Sequence, residues 1–118
     1  MLKRKFRLTR DQEFRRLRRK GFKERSTLFW LRWLPNNLPY SRFGFIASKK
    51  VGNAVQRNRA TRLVREVVRL DWERMRKGID VVFVLSDRLA EKSFDQVERE
   101  VKKVFARAKL FNPPSPID

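Results

Sequence analysis

Apolar residues fall along the chain in blocks whose spacing changes from helical to alternating and back. Between Thr9 and Lys20 only Phe14 and Leu17 are apolar, a thin helical stripe; Thr9 with Gln12 offers a capping box and Gly21 a stop. "STLFWLRWL" (Ser26–Leu34) alternates as a strand, with Phe29, Leu31 and Trp33 on one face and Leu28, Trp30 and Arg32 on the other. "PNNLPY" is turn chemistry, and "RFGFIAS" (Arg42–Ser48) predicts a second strand antiparallel to the first. A long amphipathic helix is predicted after Gln56 as far as about Arg76, with Gly78 just beyond it. "IDVVFVL" (Ile79–Leu85) is a β-branched strand. Ser93 with Gln96 caps a last helix carrying Val97, Val101, Val104, Phe105 and Ala108. Phe22–Arg25 is too short a pattern to assign to a strand.

Helix, two strands, helix, strand, helix is an α+β order: one sheet with helices packed on it. The chain's length of 118 residues predicts a single domain, placed over residues 1–110. The Pro-rich end, 111–118, is expected to be disordered.

Charge changes the picture from an ordinary small domain to a polyanion-binding one. The chain has 118 residues, of which 31 are Lys or Arg and 13 Asp or Glu, a net +18. Self-repulsion of that size opposes compaction, so a polyanionic partner is implied. Yet 41% of residues are hydrophobic, including 10 Phe and 3 Trp, which is too apolar for a disordered polycation. The absence of Cys and His removes disulfides, thiolate chemistry and the usual zinc ligands and neutral-pH base. No apolar run is long enough to span a bilayer and the basic start lacks a following apolar segment, so a cytoplasmic protein without membrane association is expected.

The long helix resolves how one element can carry both core and charge. On a helical wheel Arg62, Arg65, Arg69 and Arg76 lie within roughly 40° of Asn58, while Leu63, Val64, Val67 and Leu70 occupy the opposite half. A solvated helix face normally mixes signs. This one is nearly all Arg, whose planar fork suits phosphate. Just before it, Lys49, Lys50, Gly52 and Asn53 form a tight basic loop, and Arg57 and Arg59 flank the helix start, where unpaired N–H groups favour anions. Asn53 or Asn58 can equally serve as a simple helix cap.

"RRLRRK" (Arg15–Lys20) is a second basic cluster, with Phe14 beside it. Phe14 suits either a stacking ring or the anchor of a thinly buried helix. Should Phe43 and Phe45 enter the core, the strand face bearing Trp30 and Arg32 would be left partly open. With the first helix it would then form a groove for single-stranded RNA.

"KKVGNAVQRNRATRLVRE" (Lys49–Glu66) resembles the signature of the bacterial ribonuclease P protein subunit, with Arg57-Asn58-Arg59 as its Arg-Asn-Arg motif. "RLTRDQEFRRLRRKG" is similar to the family's first helix and "GIDVVFVLSDR" to its strand after the long helix, so the resemblance covers roughly residues 5–110. It implies a two-layer αβ sandwich with one mixed sheet and a left-handed βαβ crossover. It implies two partners, a catalytic RNA subunit and precursor tRNA, whose 5′ leader is removed by hydrolysis with Mg²⁺ held by RNA. Neither a cofactor held by protein side chains nor an obligate protein partner is expected. The catalytic-RNA contact falls on Lys49, Lys50, Asn53, Arg57, Asn58, Arg59, Arg62 and Arg65, and the Arg stripe extends it to Arg69. The leader contact falls on Phe14, Arg18, Trp30 and Arg32. Arg18 stands where the family commonly has a second aromatic, Arg32 near another aromatic position, and Thr61 where a Lys is usual.

No carboxylate cluster of the kind protein-based Mg²⁺ nuclease chemistry needs can be read from the chain, so catalysis is expected from the RNA. A ribosomal or RNA-chaperone protein would share this composition but not the long central motif. An interfacial membrane module would need the apolar stripe that the strands require as core.

Overall fold

A computed structural model describes residues 2–112. One four-stranded mixed sheet has the order β1 (Phe22–Arg25), β2 (Phe29–Pro35), β4 (Ile79–Leu85), β3 (Arg42–Ile46). β1–β2 and β2–β4 are antiparallel, and β3–β4 is parallel. β2 and β3 therefore run in opposite directions, but they are not neighbours: β4 lies between them. The connection 36–41 is not a tight hairpin. It passes the start of β4, where Asn36 N donates to Gly78 O and Asn36 Nδ2 to Asp80 Oδ1. Phe22–Arg25, left unassigned in the sequence, is a true strand because β2 offers it a free edge.

The period-two alternation of the strands separates two cores. Phe29, Leu31, Phe43, Ile79, Val81, Phe83 and Leu85 are buried on one face, under α2 (Ala54–Leu70) and α3 (Phe94–Arg107). Phe83 stacks on Phe105 of α3 with centroids 6.1 Å apart. On the other face α1 (Asp11–Lys20) buries Leu17 against Leu8, Leu34 and Val82. The αβ sandwich thus has a partial third layer, and α1 leaves much of that face uncovered.

Helix boundaries depart from the sequence reading in two places. α1 starts after Arg10 rather than Thr9, because Glu13, not Gln12, reaches back: its Oε1 accepts from Arg10 N at 3.1 Å. α2 starts earlier than predicted and ends at Leu70 rather than near Arg76. Asn53 is its cap, with Asn53 Oδ1 accepting from Gln56 N and Gln56 Oε1 from Asn53 N, both at 2.9 Å. Val64, Val67 and Val68 are buried, but Leu70 at the helix end is exposed. The apolar stripe is thus sealed inside the protein at Val64 and Val67, with Leu63 half-buried and Leu70 open. Among the described residues no helix is long and apolar enough to cross a membrane.

The packed chain runs two residues past the boundary expected at 110. Phe111 bridges to Met75 and packs on Phe105, while Asn112 bonds Arg74 O and Glu73 O. The remainder of the predicted tail lies outside the described residues.

Candidate RNA-binding surfaces

Two basic surfaces emerge, one on each side of the sheet. The first begins at the 3-10 turn Lys49–Val51 and continues along α2. Lys49 and Lys50 are exposed and Val51 plugs the core beneath them. Gly52 follows at φ 132°, and a Cβ there would stand 1.9 Å from Gln56 Oε1, so the capping box itself demands glycine. The box occupies Asn53 Oδ1 and the Gln56 N–H, so the helix start is less open to an anion than the sequence alone suggests.

Beyond the cap, Asn58, Arg59, Arg62 and Arg69 are exposed, while Arg57 and Arg65 are half-buried. Arg59 Nε donates to Ala90 O at 2.7 Å, which ties the helix to the loop before α3. Arg65 lies over the Phe45 ring at 5.5 Å. Burial pushes its guanidinium below the usual range, and the charge of Arg7 adds to that. The Nε atoms of Arg57 and Arg65 are buried and have no acceptor among the described residues. Arg69 differs from the rest of the stripe because Glu66, three residues earlier, holds it in an ion pair. That pairing lowers the Glu66 carboxyl and raises the Arg69 guanidinium. Arg57, Arg59, Arg62 and Arg65 have no acidic partner among the described residues. Arg76, placed on this stripe by the wheel, lies outside it because α2 has already ended.

The second surface is a groove of about 230 Å³ on the α1 face, lined by Phe14, Arg18, Trp30, Arg32, Ile46, Val82 and Val84. The four residues singled out in the sequence for one substrate contact all meet here. Phe14 is half-buried, and its ring lies on the backbone of Gly44: a Cβ there would stand 2.7 Å from Phe14 Cε1. Leu17, not Phe14, is the fully buried anchor of α1. Trp30 is flanked by Lys23 Nζ at 4.6 Å and Arg32 Cζ at 5.8 Å from its ring centroid. Arg32 is held by donation to Gly21 O at 3.3 Å. Aromatic faces beside cations, with no acid in the lining, are what an unpaired nucleotide strand requires.

Sequence reasoning missed three contributors. Lys23 reaches Trp30 only because β1 pairs with β2, and its signal was the weak alternation F-K-E-R. Gly44 underlies Phe14, which nothing local announces. The third is an ion network that fixes α1 to the sheet. Buried Asp80 accepts from Arg42 Nε at 2.9 Å and Arg42 Nη2 at 2.7 Å, and Arg42 Nη1 also bonds Glu13 of α1. The bond to Asp80 raises the Arg42 guanidinium, against a smaller opposing effect of burial. Asp80 is thereby committed to structure.

Residues 2–109 match the family model described as Ribonuclease P. The chain is 39% identical over 106 residues to the ribonuclease P protein component of Dehalococcoides mccartyi (strain CBDB1), covering 90% of this chain and 87% of that one. It is 40% identical over 108 residues to that of Roseiflexus castenholzii, covering 91% and 88%. The solved RNase P protein of Staphylococcus aureus superposes with a TM-score of 0.82 at 26% identity, over 91% of this chain and 98% of that one.

Proposed function

The chain belongs to the ribonuclease P protein family, and from that premise we propose a division of labour between its two surfaces. The α2 face binds the catalytic RNA subunit, and the groove beside α1 holds the single-stranded 5′ leader of precursor tRNA. As a ribonuclease P protein component the chain is a subunit of a ribonucleoprotein endoribonuclease of tRNA processing, partnered with the ribonuclease P RNA. The observation that carries the proposal is the split of α2: Val64, Val67 and Val68 close the core while Arg57, Arg59, Arg62 and Arg65 stand without acidic partners among the described residues. A guanidinium without an acidic partner can bond phosphate oxygens through two N–H donors at once.

In this reading the hydrolytic chemistry belongs to the RNA, which holds Mg²⁺. The protein joins the two RNAs, lowers their mutual phosphate repulsion and so raises apparent Mg²⁺ affinity. It works in the cytoplasm with its RNA. The test is reconstitution: purified chain, catalytic RNA and precursor tRNA at low Mg²⁺. Cleavage that needs both components is expected. Cleavage by the protein alone, or no effect of adding it, would overturn the assignment of roles. Leader recognition is tested by Trp30→Ala, which should weaken binding of precursor tRNA more than of mature tRNA.

A further inference from the structure

The β1–β2 edge carries cation–aromatic pairs on both faces, and the groove uses only one of them. On the opposite face Phe22 stands across the ladder from Trp33, with ring centroids 4.9 Å apart and planes at 37°. The Arg76 guanidinium lies over Trp33 at 5.4 Å. Phe22 is 56% exposed, at the last strand of the sheet, so its ring forms a rim.

The cation above this pair is held in place. Arg76 N donates to Leu110 O and Arg76 O accepts from Ser41 Oγ, both at 2.7 Å, so its backbone is pinned while its side chain stays exposed. Two residues earlier Arg74 lies over Phe111 at 5.3 Å, and exposed Lys77 follows. Glu24, the acid sharing this face of β1, is engaged by Arg107. The rim therefore pairs an open aromatic face with positive charge, the complement of a nucleotide. Phe22 and Lys23 are successive strand residues pointing to opposite faces, so the rim and the groove adjoin around one edge.

We propose that this rim is a second stacking site for the leader strand. RNA leaving the groove past Lys23 and Arg32 turns around β1, lays a base on Phe22 and sets a phosphate against Arg76. The proposal rests on the groove holding the leader. It assigns Phe22, Trp33 and Arg76 to leader nucleotides beyond those in the groove.

The experiment uses holoenzyme reconstituted with catalytic RNA, and precursor tRNAs with leaders of graded length. Phe22→Ala, Arg76→Ala and Trp30→Ala are compared by substrate binding at fixed salt. One stacked base is worth on the order of 5- to 150-fold in affinity, and an open rim belongs at the low end. Phe22→Ala and Arg76→Ala should each lose about fivefold with long leaders and nothing with the shortest. Trp30→Ala should weaken binding at both lengths. If Trp30→Ala acts and neither rim variant shows a length dependence, the rim site is wrong and the groove reading stands. If Trp30→Ala is silent, the groove reading fails and the rim site fails with it. A concentration-dependent dimer of the free protein abolished by Phe22→Ala would assign the rim to a second copy and overturn the proposal.

Discussion

Replacing Asp80 with alanine should separate the stability of α1 from that of the rest of the fold. Asp80 is buried, and its carboxylate accepts three hydrogen bonds, two from Arg42 and one from Asn36 Nδ2 at 2.9 Å. Removing one member of a buried ion pair costs roughly 3–5 kcal/mol, because the survivor stays desolvated. Arg42 is 23% exposed and keeps Glu13, so the lower end applies, about 3 kcal/mol. In a domain of this size that is about 12 °C in Tm, out of a total stability of about 5–15 kcal/mol. Thermal unfolding followed by circular dichroism at neutral pH reads it directly. Because Arg42 also holds Glu13, the groove wall should loosen, and leader affinity should fall more than catalytic-RNA affinity. Asp80→Leu with Arg42→Met should recover only part of the loss, since it removes the buried Asp80–Arg42 pair but leaves Glu13, 17% exposed, without its arginine. A loss below about 1 kcal/mol, the range of a solvent-screened pair, would refute the reasoning and leave α1 held by its apolar contacts alone.

Other perturbations test separate parts of the molecule. Gly44→Ala would place a methyl 2.7 Å from Phe14 Cε1 and 3.2 Å from Leu8 Cβ. Overpacking of this kind costs about 1–3 kcal/mol, and it should reduce binding of leader-bearing substrate while catalytic-RNA binding holds; unchanged substrate affinity would remove Phe14 from the groove. Arg57→Ala with Arg59→Ala should keep the fold, with about 1 kcal/mol lost from the Arg59–Ala90 bond. The log–log salt slope for catalytic-RNA binding should flatten by roughly 2 if each residue meets one phosphate, and an unchanged slope would take both residues off the interface. Glu66→Gln should release Arg69 and steepen that slope by about 1. The Glu66 carboxyl is lowered by Arg69, so the small stability difference between wild type and Glu66→Gln is present above the ordinary carboxylate range. It should vanish as pH falls through the lowered value; a difference that persisted in strong acid would need another cause.

The sequence alone determined the features that arise from local periodicity and from residue chemistry. Val64 and Val67 on one side of α2, with Arg62 and Arg65 on the other, follow from a 3.6-residue repeat that no neighbour needs to supply. The same holds for the Ser93–Gln96 cap, the strand Ile79–Leu85 and the inference of a polyanionic partner from a net +18. Tertiary structure decided what depends on pairing across the chain. β4 came between β2 and β3, and the four residues Phe22–Arg25 became a strand, because backbone donors seek whichever edge is free. The end of α2 at Leu70 moved Arg76 off the Arg stripe and onto Trp33. The groove needed Gly44, Lys23 and the Arg42–Asp80 pair, whose partners lie 30, 7 and 38 positions away along the chain at Phe14, Trp30 and one another. Contacts at such separations leave no period in the sequence, so they can be read only once the sheet has brought them together.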